Sequence, residues 1–88
     1  MYHVYVLKSK HFKKSYVGYT DDIKRRLNEH SVGKSTFTKR YGPWELIYEE
    51  TFSTQKEAIK KESFYKSRTG RKKLKEIFNR DYEKQQNN

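Results

Sequence analysis

Large apolar residues fall on both sides of a strand-like repeat from the second residue of the chain. Tyr2, Val4 and Val6 alternate with His3, Tyr5 and Leu7, which predicts a strand over residues 2–8 with both faces covered. Residues 10–13 make a turn, and residues 15–19 a second short strand. A hairpin about that turn pairs residues whose numbers sum to about 23. Tyr5 then faces Gly18, and Tyr16 lies diagonally beside it on the same face. A glycine opposite a tyrosine leaves room for a ring or a ligand to approach.

The repeat then lengthens to that of a helix. Thr20 or Asp21 is placed to cap a helix running to about Val32, with Gly33 as its stop. Ile23, Leu27 and His30 share one stripe, and Arg26 and His30 are i, i+4 neighbours beside it. Residues 34–43 are polar and basic and end in Gly42-Pro43, so they read as a loop. Residues 44–52 form the third strand. Thr54-x-x-Glu57 matches a capping box that opens a second helix, on which Ala58, Glu62 and Tyr65 share a face. Gly70 interrupts this pattern, and a third helix follows from residue 71 to about 84, with Leu74, Ile77 and Phe78 turned inward. The order ββαβαα predicts an α+β fold: a three-stranded antiparallel sheet flanked by three helices. Residues 1–82 read as one domain and 83–88 as a frayed tail.

Composition narrows the function classes. Eight Tyr, five Phe and one Trp supply large buried surfaces to a chain of 88 residues that is only 32% hydrophobic. The absence of cysteine excludes a disulfide scaffold and a thiolate zinc site. No apolar run approaches the roughly 20 residues that span a bilayer, and no leader is evident, so a soluble, cytoplasmic protein is expected. The charge is more telling. Twenty-one Lys and Arg against 11 acids give +10, a balance that attracts polyanions by releasing their counterions. The basic residues are spread over every segment, which favours nucleic acid over an anionic membrane surface.

Tyr5, Tyr16, Arg26, His30 and Glu62 are the candidate chemistry. Each has an ordinary reading alone: two sheet aromatics, a solvated helix arginine, a semi-buried histidine and a helix glutamate. A free phenol with pKa of about 10 is only about 0.1% ionised at pH 7, so a tyrosine base needs help from nearby cations. Arginine's planar fork suits a phosphate, and a carboxylate suits a hard dication. No carboxylate cluster of the kind required by two-metal nucleases is evident. Lys34, Lys39 and Arg40, with Phe37 and Tyr41 interleaved, form a candidate strip for nucleic-acid contact. Cations there hold the backbone, while the aromatics either stack on unpaired bases or tuck into the core. Lys72 and Lys73 extend the electrostatic footprint.

The spaced set also carries a resemblance. Tyr5 in His3-Val4-Tyr5, then Tyr16-Val17-Gly18, Arg26, His30 and a later Glu62 resemble the GIY-YIG nuclease superfamily over nearly the whole chain. The segment Gly33-Lys34-x-x-Phe37-Thr38 and the strand Pro43-Trp44-x-Leu46-x-Tyr48 are similar to those of its short stand-alone bacterial members. The resemblance implies that Tyr5 or Tyr16 acts as, or orients, the base that activates water. It implies that Arg26 stabilises charge on the phosphoryl oxygens, and that Glu62 holds one divalent ion, Mg²⁺ or Mn²⁺. It also implies that His30 hydrogen-bonds within the site, orienting a tyrosine or the phosphate. Two departures stand out: His3 replaces the first motif's glycine, and Tyr19 stands where excision-repair relatives carry lysine. Asn79 is available for a late asparagine used by some members.

The resulting expectation is a metal-dependent endonuclease acting on DNA in preference to RNA. The alternatives are a nucleic-acid-binding module that does not cut, and a subunit active only with a protein partner. The site itself becomes a geometric expectation: all five side chains should line one face of the sheet and its flanking helices.

Overall fold

A computed structural model describes residues 1–32 and 36–86, and their side chains except those of residues 36, 37 and 83–86. Strands β1 (Tyr2–Ser9), β2 (Ser15–Thr20) and β3 (Trp44–Phe52) form an antiparallel sheet in the order β2-β1-β3. The expected hairpin register holds: Tyr5 pairs with Gly18 and Leu7 with Tyr16. As the central strand, β1 is covered on both faces, and Val4, Tyr5, Val6 and Leu7 are all buried.

The two faces have different owners. Val4, Val6 and Val17 pack with Ala58, Tyr65, Leu74 and Ile77 to make the main core. Those last four residues come from helices α3 (Gln55–Lys66) and α4 (Arg68–Gln86). Strand alternation sends Tyr5, Leu7, Tyr16 and Gly18 to the opposite face. There helix α1 (Ile23–Ser31) and a short helix α2 (Thr36–Tyr41) lie.

Helix α2 adds to the expected order, because its segment reads as a loop in sequence. At six residues it is too short for a repeat to show, with only Phe37 and Tyr41 at i, i+4 spacing. Thr38 is buried and its carbonyl accepts from Trp44 Nε1 at 2.9 Å, and the Tyr41 carbonyl accepts from Ser9 Oγ at 2.6 Å. Two other boundaries move. The cap of α1 is Asp22, whose carboxylate accepts from Arg25 N at 3.1 Å, rather than Thr20 or Asp21. Thr20 instead accepts from Asp22 N at 3.1 Å, and Asp21 pairs with Arg25 at 3.1 Å. Gly33 lies outside the described residues.

The break between the last two helices falls at Ser67, not Gly70. Ser67 Oγ donates to the Phe64 carbonyl at 2.5 Å and accepts from Gly70 N at 3.2 Å, so one hydroxyl closes α3 and opens α4. Gly70 sits within the first turn of α4, where a Cβ would collide with the Phe64 carbonyl group. Thr54 caps α3 as expected, accepting from Glu57 N at 3.2 Å. No helix among the described residues is long and apolar enough to cross a membrane.

Candidate active site

Tyr5 is the hub. Its ring lies across Gly18 on the neighbouring strand, where a Cβ would stand 2.5 Å from the Tyr5 hydroxyl and 2.9 Å from the Tyr16 ring. The absence of a side chain at Gly18 is therefore what lets two tyrosines share one stretch of sheet. Their centroids are 6.2 Å apart with planes inclined by 24°.

Helix α1 lowers two groups onto this pair, one turn apart. Arg26 Nε donates to the Tyr5 hydroxyl at 3.2 Å, and Arg26 Nη2 to the Tyr16 hydroxyl at 3.3 Å. His30 Nε2 lies 3.0 Å from the Tyr5 hydroxyl, and its ring meets Tyr16 edge-on at 4.7 Å. With Arg26 donating to Tyr5, the phenol's own hydrogen is free to point at His30 Nε2, which accepts it when the neutral ring is protonated at Nδ1.

The electrostatics agree with this arrangement. Burial, and then the Arg26 charge, hold His30 below its usual value despite Glu29, so the imidazole is neutral at pH 7. Burial pushes the Tyr5 phenol up to about 12, although its hydrogen bond from Arg26 works the other way; Tyr16 and Glu62 raise it further. The hydrogen bond to Tyr5, with those to Tyr16 and Glu29, raises the Arg26 guanidinium above its ordinary range. Arg26 is thus a fixed cation with all three nitrogens engaged.

Glu29 is the residue the sequence reading missed. Its carboxylate accepts from Arg26 Nη1 at 2.8 Å and lies 3.5 Å from Arg25. The available signal was its place three residues after Arg26, where a helix makes the two neighbours.

Glu62 makes no hydrogen bond with Tyr5, Tyr16, Arg26 or His30 among the described residues. Ala58 and Tyr65 carry α3 against the Val4 and Val6 side of the sheet, opposite Tyr5. The Glu62 carboxylate is 20% exposed and accepts from Lys66 Nζ at 3.0 Å, yet its charge reaches the Tyr5 phenol. Four of the five residues therefore make direct contact, and Glu62 acts on Tyr5 through its charge.

Among the described residues no group of three or more His, Asp or Glu is arranged to hold a metal ion. Glu62 fits a hard dication only as one oxygen ligand, with water and a phosphate to complete the shell.

The expected contact strip lies only partly within the described residues. Lys34 and the Phe37 side chain lie outside what is described. Lys39 lines a cleft of about 330 Å³ with Leu7, His30 and Trp44. The Tyr41 ring packs edge-on against Phe12 at 5.4 Å, with Arg40 and Lys14 at 5.5 and 5.3 Å from its centroid. Lys72 and Lys73 are exposed on α4, where Lys73 pairs with Glu76 at 3.4 Å.

The GIY-YIG catalytic domain family matches residues 1–75. The chain belongs to that family. Among similar proteins, a UPF0213 protein of Streptococcus agalactiae is 43% identical over 60 residues, covering 67% of this chain and 68% of its own. A UPF0213 protein of Staphylococcus saprophyticus is 38% identical over 77 residues, covering 86% of this chain and 93% of its own. The solution structure of the UPF0213 protein BH0048 from Bacillus halodurans matches with a TM-score of 0.52 at 33% identity, over 86% of this chain and 83% of that one. These are short bacterial GIY-YIG proteins, and membership implies nuclease-type chemistry on nucleic acid in general, for which the family generally uses a divalent metal.

Proposed function

We propose that this chain hydrolyses DNA phosphodiester bonds as a single-metal endonuclease. The observation that carries the reading is the Arg26–Tyr5–His30 contact chain, in which a guanidinium and a neutral imidazole grip one buried hydroxyl.

At a pKa of about 12, only on the order of 10⁻⁵ of Tyr5 is phenolate at pH 7, so Tyr5 is a poor standing base. It is well placed as a relay. Tyr5 takes a proton from the attacking water while passing its own to His30 Nε2 at 3.0 Å. The water oxygen forms the new bond to phosphorus and the departing oxygen leaves with the old bonding pair. No phenolate need accumulate. Arg26 covers the Tyr5 hydroxyl, so a phosphate that draws the guanidinium toward itself opens Tyr5 to water. The same guanidinium then faces charge growing on the phosphoryl oxygens. Tyr16 holds the other arm of Arg26 in line. Glu62 would hold one Mg²⁺ or Mn²⁺ by a single oxygen, and the chemistry such an ion supplies is neutralisation of the departing oxygen.

The experiment is cleavage of plasmid and single-stranded DNA, with RNA as comparison, in Mg²⁺ or Mn²⁺. Arg26→Ala and Glu62→Ala are each expected to slow cleavage by about a hundredfold or more. Undiminished activity in both would sink the assignment. A binding-only reading is favoured by one observation, the neutralisation of Glu62 by Lys66. It predicts wild-type binding without cleavage under any of these metals, and a partner that switches cleavage on would identify a subunit dependent on that partner.

A further inference from the structure

Beyond the four-residue cluster, the outer edge of β2 carries an unassigned surface. A groove of about 660 Å³ runs between β2 and α4 and is lined by Tyr16, Val17, Lys66, Arg71, Lys75 and Phe78. Past Phe78 it meets a second depression of about 270 Å³, lined by Phe12, Lys13 and Lys14, with Ser15 and Phe78 common to both.

We propose that this edge is a track for the nucleic-acid strand on one side of the scissile phosphate, with Arg71, Lys75, Lys13 and Lys14 on its phosphates and Phe78 and Phe12 against its bases.

Three observations carry the inference, which rests on the nuclease reading above. The first is continuity. Tyr16 belongs both to the candidate site, through its hydrogen bond from Arg26, and to the groove wall. Lys66 lines the groove and holds Glu62. A strand whose phosphate sits at Arg26 therefore meets this groove at Tyr16.

The second is unspent charge. Arg71 and Lys75 join no ion pair among the described residues, although four of the other cations on α3 and α4 and their neighbours do. They stand four residues apart on α4, one helical turn, so they present two cations in file along the groove. A file of cations beside an apolar floor suits an alternation of phosphate and base.

The third is Phe12, which is 49% exposed at the tip of the hairpin and is flanked by lysines. Its ring meets Tyr41 edge-on, and a large exposed ring at the end of a basic groove suits stacking on a base.

The test is binding of a fluorescein-labelled oligothymidylate in EDTA, where no cleavage enters, followed by anisotropy across a salt series. Arg71→Ala/Lys75→Ala is expected to weaken binding by about tenfold and to reduce the salt slope by about 1.4, two contacts at about 0.7 each. Phe12→Ala, at an exposed position that leaves the core intact, is expected to cost about fivefold or more with an unchanged slope. Lys56→Ala/Lys60→Ala removes the same charge from the exposed side of α3 and should cost less than about twofold. Photocrosslinking of the wild type with a 5-iodouridine oligonucleotide should place adducts on Phe12 or Phe78.

Equal losses in the two double variants, or adducts outside the groove alone, would overturn the track while leaving cleavage and its Arg26 and Glu62 dependence untouched. A wild type that cleaves nothing and binds no oligonucleotide at low salt would remove the nuclease reading, and the track with it.

Discussion

The Tyr5 hydroxyl accepts from Arg26 and lies 3.0 Å from His30 Nε2, while burial resists its ionisation. Two pH signatures follow at this scale. Tyr5 is raised from 10 to about 12, so its contribution to stability is complete below pH 10 and is lost as pH climbs from 10 toward 12, by about 3 kcal/mol. Tyrosinate absorbance should show one phenol titrating late, with urea midpoints falling over the same window; a Tyr5 that titrates with the exposed tyrosines would refute the buried network. His30 is lowered, so the unfolded chain takes up a proton first as pH falls below about 6.5, and stability drops there. The relay needs neutral His30, so kcat/KM should hold down to below pH 6.5 and fall only under it. His30→Gln should remove that acid limb and slow cleavage by about a hundredfold. Gly18→Ala tests the geometry itself. A Cβ 2.5 Å from the Tyr5 hydroxyl has to displace that group, and a loss of about 1–3 kcal/mol by urea denaturation is expected together with loss of cleavage. Much of this was legible: the hairpin register followed from turn position and face parity, and it put Tyr5 over Gly18. The Tyr5–His30 bond was not, because the spacing of His30 fixes its helix face but not which phenol its ring nitrogen meets.

Elements show where patterning ends and contact begins. Strand β3 and the Thr54 cap appear where their residues predict them, since alternation and capping chemistry act locally. Helix α2 escapes because six residues are too few for a repeat to show, and its carbonyl bonds to Trp44 and Ser9 leave no mark in the side-chain pattern. The α3–α4 junction escapes for a related reason. Gly70 reads as a helix breaker, yet it is glycine because the first turn of α4 presses on the backbone of Phe64. In an exposed helix, Gly→Ala would gain roughly 1 kcal/mol. Here Gly70→Ala should lose about 3 kcal/mol or more, since a backbone carbonyl cannot swing aside as a side chain can. Urea denaturation measures the difference, and a stabilised variant would contradict the packing described. Burying Ala58 and Tyr65 fixes α3 on the sheet, and from α3 the Glu62 charge reaches Tyr5.

At the scale of the whole molecule, +10 spread over 88 residues gives a general attraction to polyanions, and the fold converts part of it into position. Arg26 is tied to phenols and Glu29, Lys66 to Glu62, and Lys73 to Glu76, whereas Arg71 and Lys75 face a groove. With about four phosphates neutralised, affinity should fall roughly fiftyfold between 50 and 200 mM salt, and a flat salt dependence would remove the electrostatic account. Family membership and the contact chain at Tyr5 make catalysis, beyond binding, the central claim. Its most direct test is one variant assayed two ways. Glu62→Gln keeps the shape of the side chain and removes its charge, so oligonucleotide binding in EDTA should stay within about twofold of wild type while cleavage in Mg²⁺ slows by about a hundredfold or more. Cleavage by Glu62→Gln at the wild-type rate would contradict the claim.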